Sequence, residues 1–74
     1  MTVDYFYDEA NVNISLIIPS EWSETDFNNC VEFDYDDVNE TVHITATDLD
    51  DTTPYFDKWI SVEELKEEFV DIRF

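Results

Sequence analysis

The chain has 74 residues, with 20 Asp and Glu against three Lys and Arg, for a formal net charge of -17. Charge this far from zero repels itself and destabilises a compact state, and it opposes binding to DNA, RNA or an anionic membrane. It favours a strongly basic partner, a cation atmosphere or a divalent metal. The composition is nonetheless that of a folded protein: 43% hydrophobic and 16% aromatic, whereas acidic disordered chains are poor in aromatics.

The length accommodates one small domain, residues 1–74. Domains of this size bury roughly 60% of their unfolded surface and are marginal alone; a homodimer or a bound partner would widen the margin. Cys30 is the single cysteine, so no intrachain disulfide forms, which suits a reducing compartment. No apolar run approaches a membrane span, and no basic segment leads into an apolar one. The expectation is a cytoplasmic protein.

Glycine is absent, so turns with positive φ are expected at Asn or Asp. Thr2 to Asp8 places Val3, Tyr5 and Tyr7 on one face. Val12 to Ile18 alternates, with Val12, Ile14, Leu16 and Ile18 on one side. Asp8 to Asn11 between them predicts a hairpin turn, and Pro19 ends the second strand. Ser20 to Asn29 reads as a loop or short helical turn anchored by Trp22 and Phe27.

Cys30 to Asp36 predicts a third strand with Val31, Phe33 and Tyr35 inward and Glu32, Asp34 and Asp36 outward. Thr41 to Thr47 predicts a fourth, with Val42, Ile44 and Ala46 inward; Asp37 to Glu40 is the turn. In that hairpin His43 stands opposite Asp34 and is expected to pair with it. Asp48 to Thr53 is an acidic loop closed by Pro54, and Tyr55 to Ile60 is a candidate edge strand. Ser61-Val62-Glu63-Glu64 has the form of a capping box. Val62, Leu65, Phe69 and Ile72 then recur at helical spacing, so a helix is expected from there to the C-terminus. The expected fold is α+β: a four- or five-stranded antiparallel sheet with one C-terminal helix packed on a face.

Two carboxylate rows follow. Glu32, Asp34 and Asp36 on a strand stand ~6.6 Å apart, close to the spacing of phosphates along a nucleic-acid strand. The helix would carry Glu63, Glu64, Glu67, Glu68 and Asp71, with like charges at i,i+4. Glu63 and Glu64 suit the N-terminal end of the helix dipole; Glu67, Glu68 and Asp71 oppose its C-terminal end. Such a surface is not chosen for solubility, which favours mixed signs. Asp37 and the loop residues Asp48, Asp50 and Asp51 add to the set. Surface scaling gives ~4,800 Å² for this mass, or one carboxylate per ~240 Å², against one charge per ~110 Å² for a duplex. Imitation of a nucleic acid therefore needs the carboxylates on about half of the surface.

In charge and size the chain resembles the small acidic DNA-mimic inhibitors of bacteriophages and mobile elements, a functional class that shares a tactic and no one fold or motif. The resemblance implies a non-enzymatic inhibitor that occupies the basic groove of a host DNA-binding protein: a nucleoid protein, CRISPR effector, restriction enzyme or polymerase. The partner-binding residues would be Glu32, Asp34, Asp36, Asp37, Asp48, Asp50, Asp51, Glu63, Glu64, Glu67, Glu68 and Asp71. Trp22 and Tyr55, beside Pro and acidic loops, would be exposed aromatic anchors. The alternative is an acidic immunity protein or antitoxin neutralising a basic nuclease.

Other chemistries fit less well. Asp48-x-Asp50-Asp51 and Asp34-x-Asp36-Asp37 are rich in oxygen, but an EF-hand loop needs Gly at its sixth position and Glu at its twelfth. From Asp48 these are Thr53 and Trp59; from Asp34, Asn39 and Thr45. Diffuse cation binding is expected rather than a metal site, and no cofactor is implied. Cys30 and His43 are a formal nucleophile and base, yet the strand pattern gives each a plain structural place. Tyr5, Tyr7, Phe33, Tyr35, Phe56, Trp59 and Phe69 are expected in the core.

Overall fold

The computed structural model describes residues 1–49 and 54–73. Its elements are β1 (Thr2–Tyr7), β2 (Val12–Ile17), α1 (Glu24–Cys30), β3 (Val31–Asp36), β4 (Thr41–Thr47), β5 (Pro54–Ser61), α2 (Val62–Leu65) and β6 (Val70–Asp71). The class is α+β, but the strands form two three-stranded sheets rather than one sheet of four or five. Sheet A has the order β1-β2-β6 and sheet B the order β3-β4-β5.

Alternation decides the faces. In β2, Val12, Ile14 and Leu16 are buried while Asn13 is exposed. β1 pairs antiparallel with it, Tyr5 opposite Ile14 and Tyr7 opposite Val12. In β4, Val42, Ile44 and Ala46 have no accessible surface. β3 pairs with it from Val31↔Ala46 to Asp36↔Thr41, and β5 pairs on its other side, His43 opposite Trp59. The inner faces of both sheets join one core with Trp22, Phe27, Leu65, Val70 and Ile72. Burying an aliphatic side chain of this size contributes roughly 1.5–3 kcal/mol. Between β1 and β3 the core is closed by rings: Tyr5 stacks on Phe33 at 4.7 Å, and Tyr7 and Phe27 both meet Phe33. Burial and a hydrogen bond to Glu9 push the Tyr7 hydroxyl up to about 12.

The segment 20–29, read as a loop or short helical turn, carries all of α1 but its last residue. Ser23 is its N-cap. The Asp26 amide donates to the Ser23 hydroxyl at 3.2 Å, and the Ser23 amide donates to the Asp26 carboxylate at 2.8 Å. Glu24 and Asp26 lie at the positive end of the dipole. Phe27 and Cys30, three apart, turn inward. Cys30 thus ends a helix instead of beginning a strand.

The C-terminal helix is far shorter than expected. Ser61 caps it, its hydroxyl accepting from the Glu64 amide at 3.1 Å. The Glu67 and Glu68 amides both donate to the Glu64 carbonyl, at 3.0 and 3.1 Å, and the helix stops. Val70 then lies parallel beside Leu16, and Asp71 beside Ile17. The Ile72 amide donates to the Ile17 carbonyl at 2.9 Å. Two effects favour this. A continued helix would stack like charges at Glu63–Glu67, Glu64–Glu68 and Glu67–Asp71 near its negative end. An extended chain instead lets Val70 and Ile72, alternating, cover the edge of β2. Ile72 is fully buried, and Phe69, expected in the core, is 64% exposed.

Among the described residues two turns use positive φ. Asn11 (φ 51) follows the expectation; in the second turn the residue is Glu40 (φ 54), not Asn39. A left-handed conformation costs a residue with a Cβ roughly 1–2 kcal/mol. Glu40 is tolerated there because its turn is tied from both sides. Asp36 Oδ1 accepts from the Val38 and Asn39 amides, and the Val62 amide donates to the Glu40 carbonyl at 3.0 Å. Glu40→Gly is therefore expected to stabilise the domain by about 1 kcal/mol, the relieved strain outweighing the entropy of the glycine. Chemical denaturation with an unchanged slope would show it; destabilisation would mean that the Glu40 side chain holds the turn.

Candidate functional site: the outer face of sheet B

Strand parity sends Glu32, Asp34 and Asp36 of β3, His43 and Thr45 of β4, and Asp57 and Trp59 of β5 to the side of sheet B away from the core. The register arranges them in cross-strand rows: Glu32–Thr45–Asp57, Asp34–His43–Trp59 and Asp36–Thr41–Ser61. Glu32 and Asp34 are exposed and border a depression with His43 and Thr45. None of the described residues on this face is Lys or Arg.

His43 is at its centre. It stands opposite Asp34 as expected, but its Nε2 meets Asp57 Oδ1, 2.5 Å away on the other neighbouring strand. On the same side the Trp59 ring stacks on the imidazole at 4.5 Å and 7°. Trp59, expected in the core, is 55% exposed. Neither Asp57 nor Trp59 is among the partner-binding residues expected from the sequence.

Asp36 belongs to the face by register but is committed to its turn. Besides the two amides, its carboxylate accepts from the Asn39 side chain at 2.7 Å, and that bond chiefly holds its carboxyl below the usual range. Asp37 is exposed in the same turn, Glu63 is exposed in α2, and Asp48 is exposed where β4 ends. Asp50 and Asp51 lie outside the described residues.

The second row does not exist as a helical row. Glu64 and Glu68 rim a groove opposite β5. Glu67 lies in a depression with Asn13 and Ser15. Asp71 pairs beside Ile17 in sheet A and is bound by its neighbour Arg73, Nε at 3.0 Å and Nη2 at 2.8 Å. Those bonds bring its carboxyl down to about 2. The strand row and these carboxylates therefore do not form one array: the row is on β3, and Glu64, Glu68 and Asp71 border the groove beside β5, the opposite edge of sheet B.

Neither expected aromatic anchor is exposed. Trp22 is 4% accessible and meets Tyr55 edge-on at 6.3 Å. Tyr55 is half-buried, and burial pushes its hydroxyl up to about 12. Cys30 is in the core and His43 on the outer face, so sheet B separates the nucleophile from the base. Among the described residues no three His, Cys, Asp or Glu converge to hold a metal ion, and no helix is long and apolar enough to cross a membrane.

The accessible surface is 4953 Å², so the mean charge density is that expected from the mass. Among the described residues there are two ion pairs, His43–Asp57 and Asp71–Arg73. Most of the carboxylate charge is thus uncompensated within the fold. No family model, no characterised protein and no solved structure matches the chain.

Proposed function

We propose that this domain is a non-enzymatic inhibitor that occupies the basic nucleic-acid-binding groove of a DNA-binding protein in the host cytoplasm, with carboxylates in place of phosphates. The observation that carries the reading is the outer face of sheet B: Glu32, Asp34 and Asp57 around an exposed Trp59, with no Lys or Arg. Along β3 the first two are ~6.6 Å apart, and Glu32 and Asp57 are two strand spacings apart, ~9.6 Å. A partner's arginines and lysines meet Glu32 and Asp34, which have no ion pair among the described residues, and Asp57, which is shared with His43. The wider field of -17 steers encounter with a basic groove and repels nucleic acid. Trp59, held flat by His43, supplies the aromatic contact first assigned to Trp22 and Tyr55.

The test starts from a protein captured on the immobilised domain at moderate salt and eluted by duplex DNA. The triple variant Glu32→Gln, Asp34→Asn, Asp57→Asn should bind it at least a hundredfold more weakly, since close interfacial charge pairs are worth about 1.5 kcal/mol or more each. The Asn at 57 keeps a hydrogen-bonding group for His43, so the fold is retained. Unchanged affinity of the triple variant, or a complex that still binds duplex DNA at full strength, would sink the reading.

A further inference from the structure

The core is closed on one side and open on the other. Between β1 and β3 the rings of Tyr5, Tyr7, Phe27 and Phe33 fill the seam. Between β5 and the segment leading into β6 there is a groove of about 360 Å³, whose walls include Phe56, Trp59, Ile60 and Phe69. β5 is an edge strand, paired to β4 on one side only, and its outer edge faces this groove. Trp59 and Phe69 are two of the most exposed large apolar residues described. On so acidic a surface, a groove with exposed aromatic rings beside a stretch of edge strand, Phe56 to Ile60, that pairs on one side only among the described residues marks an interaction site.

We propose that the edge of β5 accepts a fourth strand from the partner protein, an extended segment in which basic and apolar residues alternate. The proposal rests on the reading that the partner is basic, and it adds the form in which that partner is held. Parity specifies the alternation. On the outer side an added strand lies next to Asp57 and Trp59, where a guanidinium pairs with the carboxylate and stacks on the indole. On the inner side it lies over Phe56 and Ile60 and against Phe69, where apolar side chains gain; Lys58 between them lies along the Phe56 ring. Glu64 and Glu68 at the rim extend the charge match. Lys58 points inward, its ammonium 5.4 Å from the centre of the Phe56 ring. A charge of -17 per chain opposes pairing with a second copy.

A synthetic peptide of β5's length, alternating Arg and Val, is the probe. Its controls are an all-Arg peptide and a peptide of the same composition with Arg and Val in separate blocks. Amide exchange and chemical shifts are read by NMR on the intact domain. The alternating peptide should protect amides of residues 56–61 and shift those of 68–71. It should bind at least tenfold tighter than either control, and lose at least tenfold on Phe69→Ala. Because Phe69 is exposed, that variant keeps the fold. The proposal is overturned if the all-Arg peptide binds equally well and perturbs only the outer face of sheet B; a basic partner would then still stand. It is overturned equally if none of the peptides reaches β5, whatever the captured protein does with the triple variant. Sedimentation showing that β5 is protected by a second copy would replace it with self-association.

Discussion

Ile72→Ala should destabilise the domain by about 2–4 kcal/mol, whereas Phe69→Ala should change its stability by less than about 0.5 kcal/mol. The first figure is that of removing a fully buried β-branched side chain and leaving a cavity; Ile72 has no accessible surface and its amide is bonded to Ile17. The second is that of an exposed site with no special contact. A chain of this length is stable by roughly 4–11 kcal/mol in all, so the loss at Ile72 is a large share. Equilibrium urea denaturation with a common slope measures both. The two readings of the C-terminus predict opposite orders. In a continuous helix Phe69 sits mid-stripe and costs about 3–5 kcal/mol when truncated, while Ile72 lies in a fraying last turn. A larger effect at Phe69 than at Ile72 would restore the helix and remove β6.

The contrast shows where the pattern of residues is ambiguous. Val62, Leu65, Phe69 and Ile72 do fall on a helical stripe, but Val70 and Ile72 also alternate. The periodicities overlap at Ile72, and only the free edge of β2, a partner distant in sequence, decides between them. The first four strands carried no such ambiguity. In β2 and β4 every inward residue is aliphatic and almost every outward one polar, so parity and register were legible, including His43 opposite Asp34. The division into two sheets was not, because strand pattern says which face is buried and not which sheet buries it. α1 was legible in principle: Ser23-Glu24-Thr25-Asp26 has the spacing of a capping box and precedes Phe27 and Cys30.

The site was half legible for the same reason. Glu32 and Asp34 alternate with Val31, Phe33 and Tyr35, so their outward direction was certain once the strand was accepted. In β5 the two parities are Phe56, Lys58, Ile60 and Tyr55, Asp57, Trp59. Each mixes apolar residues with one charge, and hydrophobicity cannot choose between them. The choice comes from pairing with β4, which sets Trp59 against His43 and Lys58 against Ile44. This single assignment brings Asp57 and Trp59 to the acidic face, and it points Phe56 and Ile60 towards the groove.

Melting temperature should rise on the order of 10 °C between low salt and ~1 M NaCl. Over that range the Debye length shrinks from ~30 Å at 0.01 M to ~3 Å, so every repulsion between separate elements is screened. Neighbours along one strand repel in the unfolded chain as well; what folding adds is the approach of distant ones, such as Glu32 and Asp57. Two charges ~10 Å apart in water repel by about 0.4 kcal/mol. Twenty carboxylates and three basic residues make many such pairs, for a sum of a few kcal/mol, and each kcal/mol moves the midpoint of a domain this size by about 4–8 °C. Acid should act through Asp36 and Asp71, whose folded pKa values lie below 3.8, that of Asp71 at about 2. Their contribution is present above the unfolded value and is lost as pH falls through the folded one, because the unfolded chain binds those protons first. Stability measured by thermal denaturation should therefore fall as pH drops from about 4 towards about 2. A melting temperature that is flat or falling with salt would show that the carboxylates are compensated inside the fold, and the acidic face would lose the free charge on which its proposed recognition of a basic groove depends.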